Sequence, residues 1–546
     1  MESPYLRRGT SEIEVHMKLV KCNIDTATTP GSNGPRLDEE TITAPLFSLC
    51  ACEALDNEKK SNVEAPNSDQ VYPQYGLLGL RSRFAGAAQG EEDLVYTNVS
   101  APWSVFICGS QGSGKSHTLS CLLENSLIQS SPVGKLSSPL AGLVVHYDIF
   151  TTFSSTQLCE AAYLYSSKIP VRVLVSPTNY LAMKAAYNKL AGGSKMLNVQ
   201  PLYLPQRDLN ISMMKTLMGI NNKADQPLYI EVIMKILRDM AIQNQGRTGF
   251  DYSAFKRILE RENFLKGQLM PLTMRLQVLE SFFEPGSVPG AKFDMSKKHD
   301  ADSIWSFLPG TLTIIDLSCP FVSPEDACAL FNVCLSLFLK NRQDTGRIVA
   351  LDEAHKFLNS TSPEAIDLTE TLLSIVRQQR HLGARIIIAT QEPTLAPALL
   401  ELCNVTIIHR FSSPAWFKAI KAHIAGAGIE TANPKDKATS DIFDEIVRLS
   451  TGEALVFCPT ALFDIERHDS SSNGSTSSSG SHASVFEDSS SEKTTSDSTD
   501  SSENASEDYD RNRAASRRVV QLGAAYAYIR VRDRITVDGG RSVLEL

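Results

Sequence analysis

The stretch Ser104–Leu123 reads SVFICGSQGSGKSHTLSCLL and contains the strongest local pattern in the chain. Its first part, Val105–Cys108, is apolar enough for a buried parallel strand, and it runs directly into GSQGSGKS at Gly109–Ser116. The residues that follow favour a helix, so the pattern G-x-x-x-x-G-K-[ST] lies between a strand and a helix. This context predicts a phosphate-binding loop; the alternative is a Gly/Ser-rich turn that matches the pattern by chance.

The residue types of this loop suit an anion. Glycines allow backbone conformations that a Cβ would forbid, so consecutive N–H groups can turn inward around a phosphate. The helix that starts near Lys115 directs its positive amino-terminal end at the same anion. We expect Lys115 to contact the β- and γ-phosphates and Ser116 to ligate Mg²⁺. The predicted nucleotide-binding residues are Gly109, Ser110, Gln111, Gly112, Ser113, Gly114, Lys115, Ser116 and His117.

The composition indicates a soluble protein. The chain has 546 residues, and 42% of them are hydrophobic, which is enough for a sizeable core. No apolar run approaches the ~18 residues of a membrane span, and no signal-peptide pattern is present, so we expect an intracellular location, in cytoplasm or nucleus, and no membrane partner. Most of the eleven cysteines lie in apolar segments, where cysteine behaves as a small hydrophobe. Cys50 and Cys52 lack a second pair or nearby histidines, which argues against zinc there.

The formal charge of −9 is concentrated in one segment. Residues 469–510 contain ten carboxylates and one lysine, a local charge of −9, so the remaining residues are balanced. Residues 511–541 contain eight arginines and two aspartates, a local charge of +6. A balanced total neither favours nor excludes nucleic acid, because a channel for DNA needs only a local basic lining.

Apolar runs on consecutive positions, each followed by a helical pattern, indicate an α/β fold with a parallel sheet and helices on both faces. Beyond the first strand, strands are predicted at 143–147, 171–175, 312–315, 347–351, 385–389 and 405–408, and helices at 323–340 and 363–381. The predicted divisions are a largely disordered region 1–70 with a candidate short strand at 12–20, the first part of an ATPase core 71–206, an inserted helical subdomain 207–298, the second part of the core 299–468, a disordered Ser-rich acidic insert 469–513, and a carboxy-terminal strand 514–546 that returns to the core.

An acid pair follows the predicted strand 347–351. Asp352 at the strand end can hold the Mg²⁺ shell through water, and Glu353 can orient and deprotonate an attacking water. The adjacent glutamate favours ATP over GTP as the nucleotide. Gln391 follows the next predicted strand, and its amide can bridge the γ-phosphate and the attacking water; a buried structural glutamine is the alternative.

Four arginines are candidates for stabilising charge on a transferred phosphoryl group. Arg380, near the end of the predicted helix 363–381, is the leading candidate to reach the γ-phosphate of a neighbouring subunit. Arg377 on the same helix is a weaker one, and either arginine would also suit the negative end of that helix. Arg410 and Arg532 are better explained as members of structural ion pairs.

Taken together, GSQGSGKS, IVALDEAHKFL, RQQRHLGARIIIATQEP and IIHRFSSPAWFKAI resemble the HerA/FtsK-type ATPases, an additional-strand P-loop family. The resemblance covers roughly residues 94–463 and the terminal RVRDRITVDGGRSV. It implies a RecA-like core, ATP and Mg²⁺ as cofactors, a ring-shaped homo-oligomer that is usually a hexamer, and a channel that moves DNA or protein. The matching positions are Lys115 and Ser116 in the phosphate loop, Asp352 as metal position, Glu353 as base, Gln391 as sensor and Arg380 as finger.

The leading functional hypothesis is therefore an ATP-hydrolysing motor that acts on DNA as a ring-shaped translocase. The alternative is a nucleotide-switched protein-interaction module with slow ATP turnover, so nucleic acid and a protein partner both stay open. A small-molecule kinase is disfavoured, because the Asp-Glu and Gln combination suits water better than a transferred hydroxyl. The string DEAH at 352–355 suggests a DEAH-box helicase, but the S-A-T and Q-x-x-G-R-x-G-R motifs and a second RecA domain are missing.

Overall fold

The structure is a computed structural model, and the residues it describes lie in segments separated by gaps. These segments are 39–61, 70–82, 90–129, 131–152, 157–205, 208–218, 228–244, 250–262, 264, 266–283, 304–340, 345–358, 362–394, 397–423, 438–466 and 518–537. The candidate strand at 12–20 and the acidic insert 469–513 lie outside them.

One sheet organises the described residues. Its strands are β1 Leu46–Ser48, β2 Tyr75–Ser82, β3 Leu94–Asn98, β4 Ser104–Cys108, β5 Gly134–Lys135, β6 Ala141–His146, β7 Val171–Val175, β8 Leu197–Pro201, β9 Leu312–Asp316, β10 Arg347–Leu351, β11 Ala384–Thr390, β12 Val405–Ile408, β13 Glu453–Phe457, β14 Leu462–Glu466, β15 Arg518–Gln521 and β16 Ala527–Val531. The hydrogen-bonded order is β15-β14-β1-β3-β2-β16-β13-β12-β4-β11-β10-β6-β9-β7-β8, and β5 pairs with β2.

The α-helices fall mostly between the strands. They are α1 Glu39–Ile42, α2 Leu49–Ser61, α3 Lys115–Leu127, α4 Tyr180–Ala191, α5 Ile211–Leu217, α6 Leu228–Asn244, α7 Tyr252–Leu259, α8 Lys266–Ser281, α9 Pro324–Lys340, α10 Pro363–Arg377, α11 Gln379–Leu382, α12 Pro397–Leu402, α13 Pro414–His423 and α14 Ala438–Arg448. No described helix has the length and apolar character that crossing a bilayer requires.

The strands from β12 to β8 in this order are all paired in parallel. Successive residues of β4 face opposite sides: Phe106 and Cys108 belong to the core that contains α5–α10, and Val105 and Ile107 to the core that contains α3 and α4. Burial on both faces explains why these strands have apolar residues on consecutive positions. The predicted α/β class, with helices on both faces of a parallel sheet, is confirmed.

The sheet continues beyond β12 through antiparallel strands. β13 pairs with β12 and β16, and β16 pairs in turn with β2, so the carboxy-terminal strand returns to the sheet as predicted. The helices α5–α8 occupy the stretch between β8 and β9 where a helical insert was predicted, and they share one hydrophobic core with α9 and α10. The helix predicted over 363–381 is divided at Gln378, whose φ of −104° and ψ of 10° end α10.

Order begins earlier than the sequence predicted. The expectation of a loosely attached region up to about residue 70 is wrong for 39–61, because β1 pairs with β3 and β14 and α2 packs beside them. Phe47 stacks on Tyr72 with ring centroids 4.0 Å apart, and Leu55 and Leu462 join the same buried cluster. A three-residue strand whose partners lie far along the chain leaves almost no local periodicity to detect.

Candidate active site

Four neighbouring strands bring the predicted site residues to one edge of the sheet. Gly109 follows β4, Gln391 follows β11 and Asp352 follows β10; Asp148, which the sequence did not assign to the site, lies just beyond β6. Because β4, β11, β10 and β6 are adjacent and parallel, their carboxyl ends share an edge, where open α/β sheets bind ligands. A cavity of about 660 Å³ opens there, lined among others by Gln111, Gly112, Gly114, Lys115, Ser116, His117, Asp352, Glu353 and Gln391.

The phosphate-binding loop has the backbone that its glycines predicted. Gly112 and Gly114 have φ of 71° and 113°, in the region that favours glycine. A Cβ at Gly109 would lie 2.7 Å from Cβ of His409, so the loop could not pack against β12 with a larger residue there. His409 is itself fixed, since its Nε2 lies 2.9 Å from Oγ1 of Thr118. Burial lowers the pKa of His409 to about 4, so its ring is neutral at physiological pH.

Lys115 lies at the start of α3 and is 5% exposed. Its Nζ donates a hydrogen bond of 2.9 Å to the carbonyl oxygen of Ser110, within the loop itself. Burial lowers the pKa of Lys115, and the nearby carboxylates of Glu353 and Asp352 oppose that shift. The ammonium group is therefore held between the loop and the acid pair, where a phosphate group would be attracted to it.

Asp352 is 4% exposed. Its Oδ2 lies 3.6 Å from Nδ1 of His146. Its Oδ1 is buried without a hydrogen-bond partner. A buried carboxylate oxygen without a partner is costly, and a hard cation would satisfy it. Because Ser116 lines the same cavity, Ser116 and Asp352 fit the Mg²⁺ position that the sequence predicted.

His146 was not singled out from the sequence, although it ends a strand beside Asp352. It is fully buried at the end of β6. Burial would lower the pKa of His146, but the carboxylates of Asp316 and Asp352 outweigh it and raise the pKa to about 9. The negative charge of Asp352 is thus balanced by the imidazole of His146 on the side away from the cavity and by Lys115 on the cavity side.

Glu353 is joined to the loop that follows β11. Nε2 of Gln391 donates a hydrogen bond of 2.9 Å to Oε2 of Glu353, and Nδ1 of His355 lies 3.3 Å from the same oxygen. Burial lowers the pKa of His355, which leaves its Nδ1 available to accept from the backbone N–H of Gln391 at 3.5 Å. The backbone of Glu353 has φ of 50°, a left-handed conformation that is uncommon for non-glycine residues and that clusters at functional sites.

The opposite wall of the cavity comes from elements that sequence reasoning did not assign to the site. Thr451 and Gly452 precede β13, and Arg530 and Asp533 belong to the carboxy-terminal segment. The only sequence signal was the resemblance of the terminal RVRDRITVDGGRSV to the family pattern. His117, one of the predicted nucleotide-binding residues, connects α3 to this wall: its Nε2 lies 2.7 Å from the carbonyl oxygen of Arg532.

Three of the four candidate arginines do not line the cavity. Arg380 is on α11 before β11 begins, at the edge of the sheet opposite the cavity, and it pairs with Glu39 at 3.0 Å. Arg532 forms a buried ion pair of 2.7 Å with Glu124, as the structural alternative predicted. Arg377 is exposed on α10. None of these three lines the cavity of its own chain.

No protein-family model matches the chain, and no curated protein matches it. Three solved structures illustrate what it is similar to. VirB4 of Thermoanaerobacter pseudethanolicus is 12% identical over 70% of this chain and 94% of its own, with a TM-score of 0.43. The bacterial conjugative coupling protein TrwBΔN70 is 12% identical over 72% and 92%, with a TM-score of 0.36. The DNA-packaging ATPase B204 from Sulfolobus turreted icosahedral virus is 12% identical over 65% and 92%, with a TM-score of 0.25.

One of these neighbours is a conjugative coupling protein and another is a DNA-packaging ATPase. Identities of 12% and TM-scores of 0.25 to 0.43 are low. The function of this chain therefore has to be inferred from the geometry of its own site.

Proposed function

We propose that the chain is an ATP-hydrolysing P-loop motor of the HerA/FtsK type. The supporting observation is that the predicted loop, the acid pair and the predicted sensor line one cavity at the carboxyl ends of adjacent strands: Gln111, Gly112, Gly114, Lys115, Ser116, Asp352, Glu353 and Gln391. A phosphate cradle alone would account only for nucleotide binding. The acid pair and the amide beside it add what hydrolysis needs, a base and a group that positions water.

The residues have distinct roles in this reaction. Glu353 takes a proton from the water that attacks the γ-phosphorus, and Gln391 orients that water and the carboxylate. The bond from the γ-phosphorus to the bridging oxygen breaks, which yields ADP and phosphate. Lys115 and the N–H groups of the loop stabilise the negative charge that the phosphoryl oxygens share. Mg²⁺ held by Ser116 and Asp352 would neutralise charge on the β- and γ-phosphates.

The proposal includes assembly into a ring. Phe150 lines the cavity although its side chain is 82% exposed, so an exposed apolar side chain borders the site. Arg380 lies at the opposite edge of the sheet and can serve only the site of another copy. A head-to-tail contact repeated around a closed ring brings these two faces together in every subunit. The hexameric state and the DNA substrate follow from the sequence resemblance.

The test is ATP hydrolysis by the full chain with Mg²⁺, measured without nucleic acid, with duplex DNA and with single-stranded DNA. We expect hydrolysis that DNA increases and that Lys115→Ala and Glu353→Gln each abolish. The matched controls, Lys189→Ala on α4 and Glu370→Gln on α10, change exposed residues and should keep the wild-type rate. A folded wild-type chain that does not hydrolyse ATP would overturn the ATPase assignment.

The second candidate is a nucleotide-switched protein-interaction module. Exposed aromatic residues at the carboxyl edge favour it, since Phe150 follows β6 and Phe321, 65% exposed, follows β9. A partner that docks at this edge of the sheet would have such exposed apolar side chains to contact. This candidate predicts slow hydrolysis that a protein partner stimulates, and it would replace the motor if hydrolysis were indifferent to every nucleic acid tried.

A further inference from the structure

A compact group of metal-ligating side chains lies directly behind Asp352. Nδ1 of His146, Sγ of Cys159 and Oδ2 of Asp352 all lie within 4.8 Å of one another. All three residues are buried, with exposed fractions of 0%, 0% and 4%. Within the segments that the structure describes, no other group of three His, Cys, Asp or Glu side chains is this compact.

The polar atoms of this group are poorly satisfied by the protein. Nδ1 of His146 makes no hydrogen bond, because the nearest oxygen of Asp352 is 3.6 Å away. Oδ1 of Asp352 also has no partner, whereas Sγ of Cys159 donates a long hydrogen bond of 4.0 Å to Oδ2 of the same carboxylate. Buried polar atoms without partners are rare in proteins, and an unseen ion is one of their recognised explanations.

The backbone holds the three residues in place. His146 ends β6 and Asp352 follows β10, and these paired strands are joined at this point by the bond of 3.1 Å from the Asp352 N–H to the Val145 carbonyl. The N–H of Cys159 donates to the hydroxyl oxygen of Tyr187 at 3.1 Å. The ligand atoms are therefore presented by fixed elements, as a binding site requires.

We propose that His146, Cys159 and Asp352 form a binding site for Zn²⁺, with water as the fourth ligand. Imidazole, thiolate and carboxylate are the ligands that Zn²⁺ takes in proteins, usually in tetrahedral geometry. Separations of 3.6 and 4.0 Å are close to those between ligands of one tetrahedral ion, so small side-chain shifts complete the site. Mg²⁺ prefers oxygen ligands, which distinguishes this site from the one at Ser116 and Asp352.

Metal binding must displace protons. A thiol must lose its proton to ligate Zn²⁺, so binding at Cys159 releases one proton. His146 binds through the lone pair of Nδ1, since its Nε2 already lies 3.2 Å from the carbonyl oxygen of Gln157.

The site is next to the nucleotide cavity. Leu158 and Glu160, which flank Cys159, line that cavity together with Asp352. Zn²⁺ can therefore enter from it, and once bound it occupies the carboxylate assigned to Mg²⁺. The resulting inhibition of hydrolysis rests on the proposed function, whereas the binding of Zn²⁺ does not.

The test is metal binding by the full chain without nucleotide, measured with Zn²⁺ by equilibrium dialysis and with Co²⁺ by its thiolate charge-transfer absorption. We expect one tightly bound Zn²⁺ per chain, and a Co²⁺ band that Cys159→Ser abolishes together with at least a tenfold loss of Zn²⁺ affinity. Cys334→Ala, which changes a buried cysteine on α9, should retain both.

If Cys159→Ser does not fold, Cys159→Ala repeats the measurement with an apolar side chain. No thiolate band in the wild-type chain, or a band and an affinity that survive in the folded Cys159 variant, would overturn the proposal. Because neither readout uses ATP, a chain that binds Zn²⁺ without hydrolysing ATP would support this site and count only against the proposed function.

Discussion

The side-chain amide of Gln391 donates a hydrogen bond of 2.9 Å to the carboxylate of Glu353, which joins the loops that follow β11 and β10. The two residues are 38 positions apart in sequence, and they meet because their strands are parallel neighbours. Glu353 also has a left-handed backbone, so its carboxylate is held by both its own conformation and its neighbour. In the proposed reaction, this contact sets the direction in which the base faces the attacking water.

Replacing Gln391 should slow the reaction without weakening nucleotide binding. We expect Gln391→Ala to lower kcat by about 10- to 100-fold with little change in KM for ATP, because the base and the water lose their alignment. Glu353→Gln should lower kcat by about 100-fold or more. Steady-state kinetics provide the measurement, and Gln378→Ala, at an exposed position, is the control.

The double variant tests whether the two residues act as one unit. In the Glu353→Gln background, Gln391→Ala should cause little further loss, since there is no base left to orient. Losses that multiply in the double variant would show that Gln391 acts independently of Glu353.

Lys115→Met separates nucleotide binding from folding. The ammonium of Lys115 is buried at a cost that lowers its pKa, so an apolar side chain of similar length should leave Tm without nucleotide close to the wild-type value. ATP should raise Tm of the wild-type chain by mass action, and this rise should vanish in the variant. Differential scanning fluorimetry with and without ATP gives both values. An undiminished rise in Lys115→Met would contradict the assigned phosphate contact.

Glu124 should give the stability of the chain a recognisable pH dependence. Its carboxylate has no exposed surface, and it accepts hydrogen bonds from Thr536 Oγ1 at 2.6 Å and from Arg532 at 2.7 Å. Burial would raise the pKa of Glu124, but Thr536 and Arg532 outweigh it and lower the pKa. Because the pKa of Glu124 is lower in the folded state, its ionised carboxylate contributes fully to stability above the unfolded pKa of about 4.3. This contribution is lost as the pH falls through the folded pKa.

Glu124→Gln should therefore reduce the free energy of unfolding by about 3–5 kcal/mol at pH 7, because Arg532 is left buried without its counter-charge. The difference from the wild type should narrow as the pH falls below about 4. Urea unfolding at pH 7 and at a pH below about 4 measures this difference in the free energy of unfolding. The exposed Glu370→Gln is the control. A difference that stays constant with pH would show that the ionised form of Glu124 is not what binds the carboxy-terminal segment.

The strands that present the site could be predicted because each is a run of consecutive apolar residues that ends in a polar one. The bounds predicted for β10 and β12 agree with the structure, and Asp352 and Gln391 were placed correctly at strand ends. His146 was missed because its approach to Asp352 depends on β6 lying next to β10, and Cys159 because the segment after β6 folds back against Tyr187. That strand order is a property of the whole sheet and leaves no trace in local spacing.

Other features depended on long-range pairing as well. The segment 39–61 is ordered by contacts with β3 and β14, and these contacts cannot be predicted from the sequence of the segment itself. The break between α10 and α11 occurs at Gln378, without the glycine or proline that usually marks such a site. In both places the tertiary structure overrides a weak local preference.

Arg380 offers the sharpest test of assembly. Its pair with Glu39 is exposed, with 63% and 77% of the two side chains accessible, so Arg380→Ala should leave the free energy of unfolding within about 1 kcal/mol of wild type.

If Arg380 completes the site of a neighbouring subunit, Arg380→Ala should be nearly inactive, and so should Lys115→Ala. In a mixed ring, however, an Arg380→Ala subunit keeps an intact phosphate loop and a Lys115→Ala neighbour supplies the arginine. Random assembly of equal amounts should restore about one quarter of the wild-type rate, since half of the sites have the lysine and half of those have the arginine. ATP hydrolysis by the co-assembled variants measures this recovery, and a mixture as inactive as its components would exclude Arg380 as the finger that acts between subunits.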